Sequence, residues 1–175
     1  ADWAAAAGHW LSLASDDDAR FDVERIFDAR DVAPMITWGT SPQQVVAIDG
    51  AVPAPGAGQG TTEGQARALD YMGLAPGMRL AELPIDAAFI GSCTNSRIGD
   101  LRRAAALLRG RHVAPGVKAI CVPGSTQVKR AAEAEGLDEI FRAAGFEWRE
   151  SGCSLCFFAG GESFGPQERV VSSTN

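Results

Sequence analysis

The strongest constraint on the fold lies between residues 87 and 149, where short apolar runs alternate with segments of helical period. Ala87-Ala88-Phe89-Ile90 is continuously apolar, as a strand buried on both faces must be. It runs into Gly91-Ser92-Cys93-Thr94-Asn95-Ser96-Arg97. A helix is expected from about Ile98 to Leu108, with Asp100 in its first turn and Arg109 at its end, charges that suit the helix dipole. Val117 to Val122 reads as the next strand, closed by Pro123-Gly124-Ser125. Two helical runs follow, Thr126 to Glu135 and Leu137 to Ala144, divided by Gly136. After Gly145, Phe146-Glu147-Trp148-Arg149 alternates like a strand. Such repeats imply parallel βαβ units, so the expected fold is α/β: an α/β/α sandwich around a mostly parallel sheet. Ligands of these sheets gather at the carboxyl ends of the strands. Cys93 directly follows one expected strand and Cys153 follows another, so both fall on that edge.

The first sixty residues are less regular. Ala4 to Leu13 has the spacing of a helix, and Asp16-Asp17-Asp18 reads as a solvated acidic turn. Phe21-Asp22-Val23 and Ile26-Phe27 read as strand, broken by Asp28 and Asp31 before Pro34. From Met35 to Gly60 the chain is loop-like. It holds Trp38-Gly39-Thr40-Ser41-Pro42, a short Val45-Val46 run and a Pro-, Gly- and Ala-rich stretch from Pro53 to Gly60. That stretch is the expected internal boundary. Residues 1–60 would form an amino-terminal helix, short strand and loop-rich extension. Residues 61–175, opening with a helix from Thr62 to Met72, would form the α/β domain that carries the cysteines.

With 175 residues the chain suits one domain with an extension. No apolar run approaches the roughly 20 residues that span a bilayer, and the first 30 residues lack the pattern of a secretory signal. A net charge of −6, with no basic stretch longer than Arg109-Gly110-Arg111-His112, disfavours nucleic-acid binding through phosphate neutralisation. Four cysteines do not make a disulfide scaffold, so a reducing cytoplasm with free or metal-bound thiols is expected. The opening Ala1-Asp2-Trp3, without an initiator Met, and the stop at Asn175 just after the strand-like Arg169 to Thr174 suggest a portion of a longer protein.

Among the cysteines, Cys121 sits inside an apolar run and reads as a small buried hydrophobe. Cys153 and Cys156 form a Cys-x-x-Cys pair, whose sulfurs can reach one metal or cluster around a tight turn. Alone, that signal is weak, because a redox dithiol, half a zinc site or a structural accident gives the same spacing. Adding Cys93 suggests a more specific task. Three thiolates on a four-iron cubane leave one iron without a protein ligand, open as a Lewis acid. Ser92, Thr94, Asn95 and Ser96 offer hydroxyls, an amide and backbone N–H groups at a helix start, where anionic groups bind. The plain alternative is a strand–loop–helix turn capped by Asn95 or Ser96.

Two segments resemble the cluster motifs of the aconitase superfamily: Phe89-Ile90-Gly91-Ser92-Cys93-Thr94-Asn95-Ser96-Arg97 and Gly152-Cys153-Ser154-Leu155-Cys156. Pro123-Gly124-Ser125 through Leu137, Ala144 to Trp148, and Thr37-Trp38-Gly39-Thr40-Ser41-Pro42 resemble its isopropylmalate-dehydratase branch rather than aconitase proper. The resemblance covers nearly the whole chain. It implies an aconitase-type α/β/α sandwich, with Cys93, Cys153 and Cys156 ligating a [4Fe–4S] cluster. The implied reaction is a hydro-lyase isomerisation of 2-isopropylmalate and 3-isopropylmalate in leucine biosynthesis. Asn175 matches the asparagine that opens a substrate-contact motif. The catalytic serine of this family sits on a separate small subunit, and no matching position occurs here. The expectation is therefore a cluster-bearing portion, inactive alone, that partners the small subunit on an alkylmalate substrate.

Two departures stand out. Ser151 occupies a position where the family commonly has Pro, and Phe157-Phe158-Ala159-Gly160-Gly161 replaces a small aliphatic run. These aromatics either pack under the cluster loop or mark a branch acting on another alkylmalate, such as a homoaconitase. From a different class, a non-catalytic zinc module would join the three cysteines to His112 or His9, although neither histidine has knuckle spacing. A thioredoxin-like dithiol would leave Cys93 unexplained.

Overall fold

The computed structural model describes residues 2–58, 60–156, 164–165 and 167–174, and of residue 156 only the backbone. Its contacts divide the chain into two units, Ala1–Ala33 and Pro34–Asn175.

The first unit is built on helix α1, Trp3–Leu11. Asp2 caps it, its carboxylate accepting from the Ala4 and Ala5 N–H groups at 3.0 and 3.4 Å. Trp3 and Trp10 meet edge to face, 5.5 Å apart, yet no residue of the helix is buried. The strand expected over Phe21 to Phe27 does not form. These residues join no ladder, and Phe21, Val23, Ile26 and Phe27 are all exposed. Apolar alternation makes a strand only where a neighbour takes up its N–H and C=O groups.

The second unit opens with a two-stranded antiparallel ladder of β1, Met35–Thr37, and β2, Val45–Ala47, inside the segment expected to be loop. The intervening turn is closed by Gln44, whose side-chain oxygen accepts from the Thr40 and Ser41 N–H groups at 2.7 and 3.1 Å. Trp38 anchors this piece. It is 3% exposed and packs with Val52, with Leu74, and with Ala68 and Leu69 of α2, Thr62–Met72. That core joins residues on both sides of the Pro- and Gly-rich stretch.

The rest follows the expected βαβ order. Strands β3 (Ala87–Gly91), β4 (Lys118–Val122), β5 (Phe146–Trp148) and β6 (Val170–Ser172) form a four-stranded sheet in the order β5-β4-β3-β6. Every neighbouring pair is parallel. Helices α3 (Ile98–Leu108), α4 (Thr126–Ala134) and α5 (Leu137–Ala143) make the crossovers. In β4, alternate side chains serve two cores. Ala119 and Cys121 pack with Leu101 and Ala105 of α3, Ala132 of α4 and Phe141 of α5. Ile120 and Val122 turn to the other face and pack with Phe89, Leu155, Phe164 and Val170. An apolar run buried on both sides is what a central parallel strand requires.

Candidate functional site

Three loops leave the carboxyl edge of adjacent parallel strands, and hydrogen bonds knit them together. The β3 loop carries Cys93, the β4 loop is Pro123-Gly124-Ser125, and the β5 loop leads to Cys153. The Gly124 N–H donates to the Ser96 carbonyl at 2.9 Å, which fixes the β4 loop against the β3 loop. Thr126 and Ser151 share a hydroxyl–hydroxyl hydrogen bond of 3.2 Å, tying the start of α4 to the β5 loop. Ser151 thus supplies a bond that a proline at this position could not make.

The β5 loop is anchored twice more before it reaches Cys153. The Arg149 N–H donates to the Cys121 carbonyl at 3.0 Å. Lys129 of α4 pairs with Glu133 at 2.6 Å and with Glu150 at 3.2 Å. Glu133 also accepts from the Trp148 indole N–H at 3.1 Å. Hydrogen bonds from Lys129 first and Trp148 second hold the Glu133 carboxyl below its ordinary pKa.

These contacts depend on close backbone approach. A Cβ at Gly91, where φ is +154°, would lie 2.4 Å from the Val122 carbonyl oxygen. A Cβ at Gly124 would lie 2.8 Å from the Ser96 carbonyl oxygen and 3.4 Å from that of Cys93. Glycine is the residue that permits both.

Cys93 is exposed and Cys153 half-buried, and both thiols are free. Cys156 closes the short 3-10 turn Ser154–Cys156, and its side chain lies outside the described residues. Asn175 and residues 157–161 lie outside them too. Among the described residues no three His, Cys, Asp or Glu side chains gather as a metal-holding group, and only two of the three cysteine side chains belong to that set. Cys121 is different in kind: it is fully buried inside β4, and desolvation pushes its thiol up to about 12. A metal ligand has to be a thiolate, so Cys121 is a poor donor. His112 lies in the turn that precedes β4, at the opposite edge of the sheet from the cysteine loops, and cannot complete a zinc site with them. His9 belongs to α1 in the first unit and is exposed.

The serines beside the cysteines were only partly foreseen. Ser92, Ser96 and Ser154 are buried at 1%, 0% and 5% exposure, and none of their hydroxyls has a hydrogen-bond partner among the described residues. Ser92 precedes Cys93 and Ser154 follows Cys153, and both hold a positive φ, +70° and +48°. Nor does Ser96 cap α3. Arg97 is the N-cap residue, its N–H donating to Asp100 Oδ2 at 3.1 Å. Buried hydroxyls are rarely left without an acceptor, and strained residues cluster at functional sites. Ser92 and Ser154 adjoin Cys93 and Cys153 in the chain and Ser96 lies three residues after Cys93, so three spare donors at this sheet edge suit an anionic group.

A family model described as Aconitase family (aconitate hydratase) matches residues 1–175. A curated relative, the 3-isopropylmalate dehydratase large subunit of Cupriavidus necator, is 66% identical over 177 residues. The match takes in the whole of this chain and 66% of the relative, so the chain spans slightly less than two thirds of that protein's length.

Proposed function

We propose, for a chain that belongs to the aconitase family, that it is the cluster-carrying part of a 3-isopropylmalate dehydratase large subunit. The observation that carries this reading is identity of 66% along the whole chain to a large subunit of that name. In this reading Cys93, Cys153 and Cys156 hold a [4Fe–4S] cluster at the carboxyl edge of the sheet. When bound, such a cluster supplies a Lewis-acidic iron that polarises a substrate hydroxyl and carboxylate.

The chain's own residues would do the holding and orienting. Gly124 packs the Cys93 loop against β4, and Ser151, Thr126 and Lys129 fix the approach to Cys153. Cys121 stays a protonated packing residue. The substrate is an alkylmalate, isomerised between its 2- and 3-hydroxy forms by loss and return of water. The base that moves the carbon-bound proton comes from a small-subunit partner. Among the described residues no helix is long and apolar enough to cross a membrane.

Metal analysis tests the assignment. After anaerobic reconstitution with iron and sulfide, the parent and its Cys121→Ala variant should each hold about four irons with matching inorganic sulfide. Cys93→Ala and Cys153→Ala should not. Stoichiometric zinc in a colourless protein would refute the cluster. Combined with a small subunit, an intact large subunit of this sequence should favour 2-isopropylmalate over homocitrate. The reverse preference would reassign it to the homoaconitase branch.

A further inference from the structure

We infer that the hydroxyls of Ser92, Ser96 and Ser154 donate hydrogen bonds to the anionic sulfurs of the cluster, and so govern its reduction potential and retention. This rests on the cluster reading above.

The three donors are set apart from other hydroxyls at the same edge of the sheet. Ser125 accepts from the Val128 N–H at 3.1 Å, Ser151 pairs with Thr126, and Ser173 accepts from the Gly91 N–H at 3.1 Å. Those serines are engaged within the protein. Ser92, Ser96 and Ser154 are deeply buried without a partner among the described residues. A buried hydroxyl that has surrendered water needs an acceptor. Sulfide and thiolate sulfurs are acceptors without hydrogens of their own; Ser92 and Ser154 adjoin Cys93 and Cys153 in the chain, and Ser96 lies three residues after Cys93.

Backbone conformation supports the same conclusion. At φ +70° and +48°, glycine would be unstrained where Ser92 and Ser154 are not. A side chain placed against local preference has to contribute something glycine lacks, and here that is one O–H. The Ser96 hydroxyl is likewise spared from capping α3, because Arg97 and Asp100 close that helix end.

A hydrogen bond to sulfur stabilises the reduced cluster, the more negative form, over the oxidised one. Removing it therefore lowers the potential. The test uses the reconstituted chain and its Ser92→Gly, Ser154→Gly and Ser96→Ala variants, with Ser12→Ala on the exposed end of α1 as control. Each site variant should show a lower midpoint potential by spectroelectrochemistry, and its cluster should be stripped by a chelator several-fold faster. A tenfold change in relative stabilisation corresponds to about 59 mV for one electron. The glycine variants without cluster should meanwhile unfold at no lower urea concentration than the parent, since they relieve strain. Unchanged potentials and stripping rates would overturn the inference and leave the cluster standing. Faster stripping matched by equal loss of apo-protein stability would reduce the serines to a structural role. A parent chain that takes up no cluster would overturn the reading beneath.

Discussion

Replacing Gly124 by alanine should loosen the contact that seats the Cys93 loop, and its size can be worked from the structure. The new Cβ would stand 2.8 Å from the Ser96 carbonyl oxygen, 3.3 Å from its carbon and 3.4 Å from the Cys93 carbonyl oxygen. All three are backbone atoms, so no side chain can swing away. Restoring ordinary contact near 3.4 Å needs a displacement of about 0.6 Å (3.4 − 2.8), and such overpacking costs about 1–3 kcal/mol. The same movement stretches the Gly124 N–H to Ser96 bond from 2.9 Å to the limit of hydrogen bonding, a further loss of about 1 kcal/mol. Lower entropy of the unfolded alanine chain returns about 0.4–1 kcal/mol. The net expectation is a loss of about 1–3.5 kcal/mol. Gly99→Ala is the matched control. Gly99 lies in α3 with nothing within 4 Å of its Cβ position, so alanine there should stabilise by about 0.5–1 kcal/mol. Urea unfolding of both variants, read as midpoint shifts at constant slope, measures the difference. A Gly124→Ala protein within about 0.5 kcal/mol of the parent would refute the claim that close backbone approach holds these loops.

Three further outcomes follow from individual residues. Burial pushes the Cys121 thiol from 9.0 up to about 12. Above pH 9 the unfolded chain releases this proton while the folded chain keeps it, so the folded state binds more protons and stability falls as pH rises. Relative to Cys121→Val, the parent should lose roughly 1.4 kcal/mol per pH unit between about 9 and 12. A parallel pH dependence of the two proteins would exclude this. Ser125→Ala removes the α4 N-cap and should cost about 1 kcal/mol by urea titration, whereas Ser125→Gly should cost only a few tenths. Trp38→Ala empties a core position shared with Val52, Ala68 and Leu69 and should cost about 3–5 kcal/mol, with a null result showing that the β1–β2 ladder packs independently of α2.

How much the sequence disclosed depended on which interaction governed each region. From Ala87 to Trp148 local pattern and tertiary burial agree, so the strands and crossover helices lie where apolar runs and helical period place them. Phe21 to Phe27 carries the alternation of a strand, but pairing is a property of two segments and no neighbour supplies it. The β1–β2 ladder was hidden for the opposite reason. Its strands have three residues each, too short for a period to register, and its stability rests on Trp38 packing across a Pro- and Gly-rich loop. The placement of Cys93 and Cys153 at one sheet edge was legible because each follows a strand-like run that forms a parallel strand. The burial of the Ser154 hydroxyl without a partner among the described residues, and the link from Ser151 to Thr126, had no one-dimensional signal beyond a small polar residue beside a cysteine.

Sheet order also bears on the kind of group these loops could hold. Cys93 follows β3 and Cys153 follows β5, and β4 lies between those strands. Neighbouring strands are spaced about 4.8 Å, so the two cysteine loops leave the sheet about 10 Å apart. The β4 turn stands in that gap, with Gly124 against the carbonyls of Ser96 and Cys93 and Thr126 against Ser151. A lone zinc ion needs every sulfur within about 2.3 Å of one point, which would draw both loops in over that turn. A polynuclear cluster asks less, because each thiolate binds a different iron and the irons themselves supply the span. Pro123 and Gly124 offer no ligating side chain, and the Ser125 hydroxyl is engaged by the Val128 N–H. A spacing of about 10 Å between the loops is easier to reconcile with the proposed cluster than with a single cation.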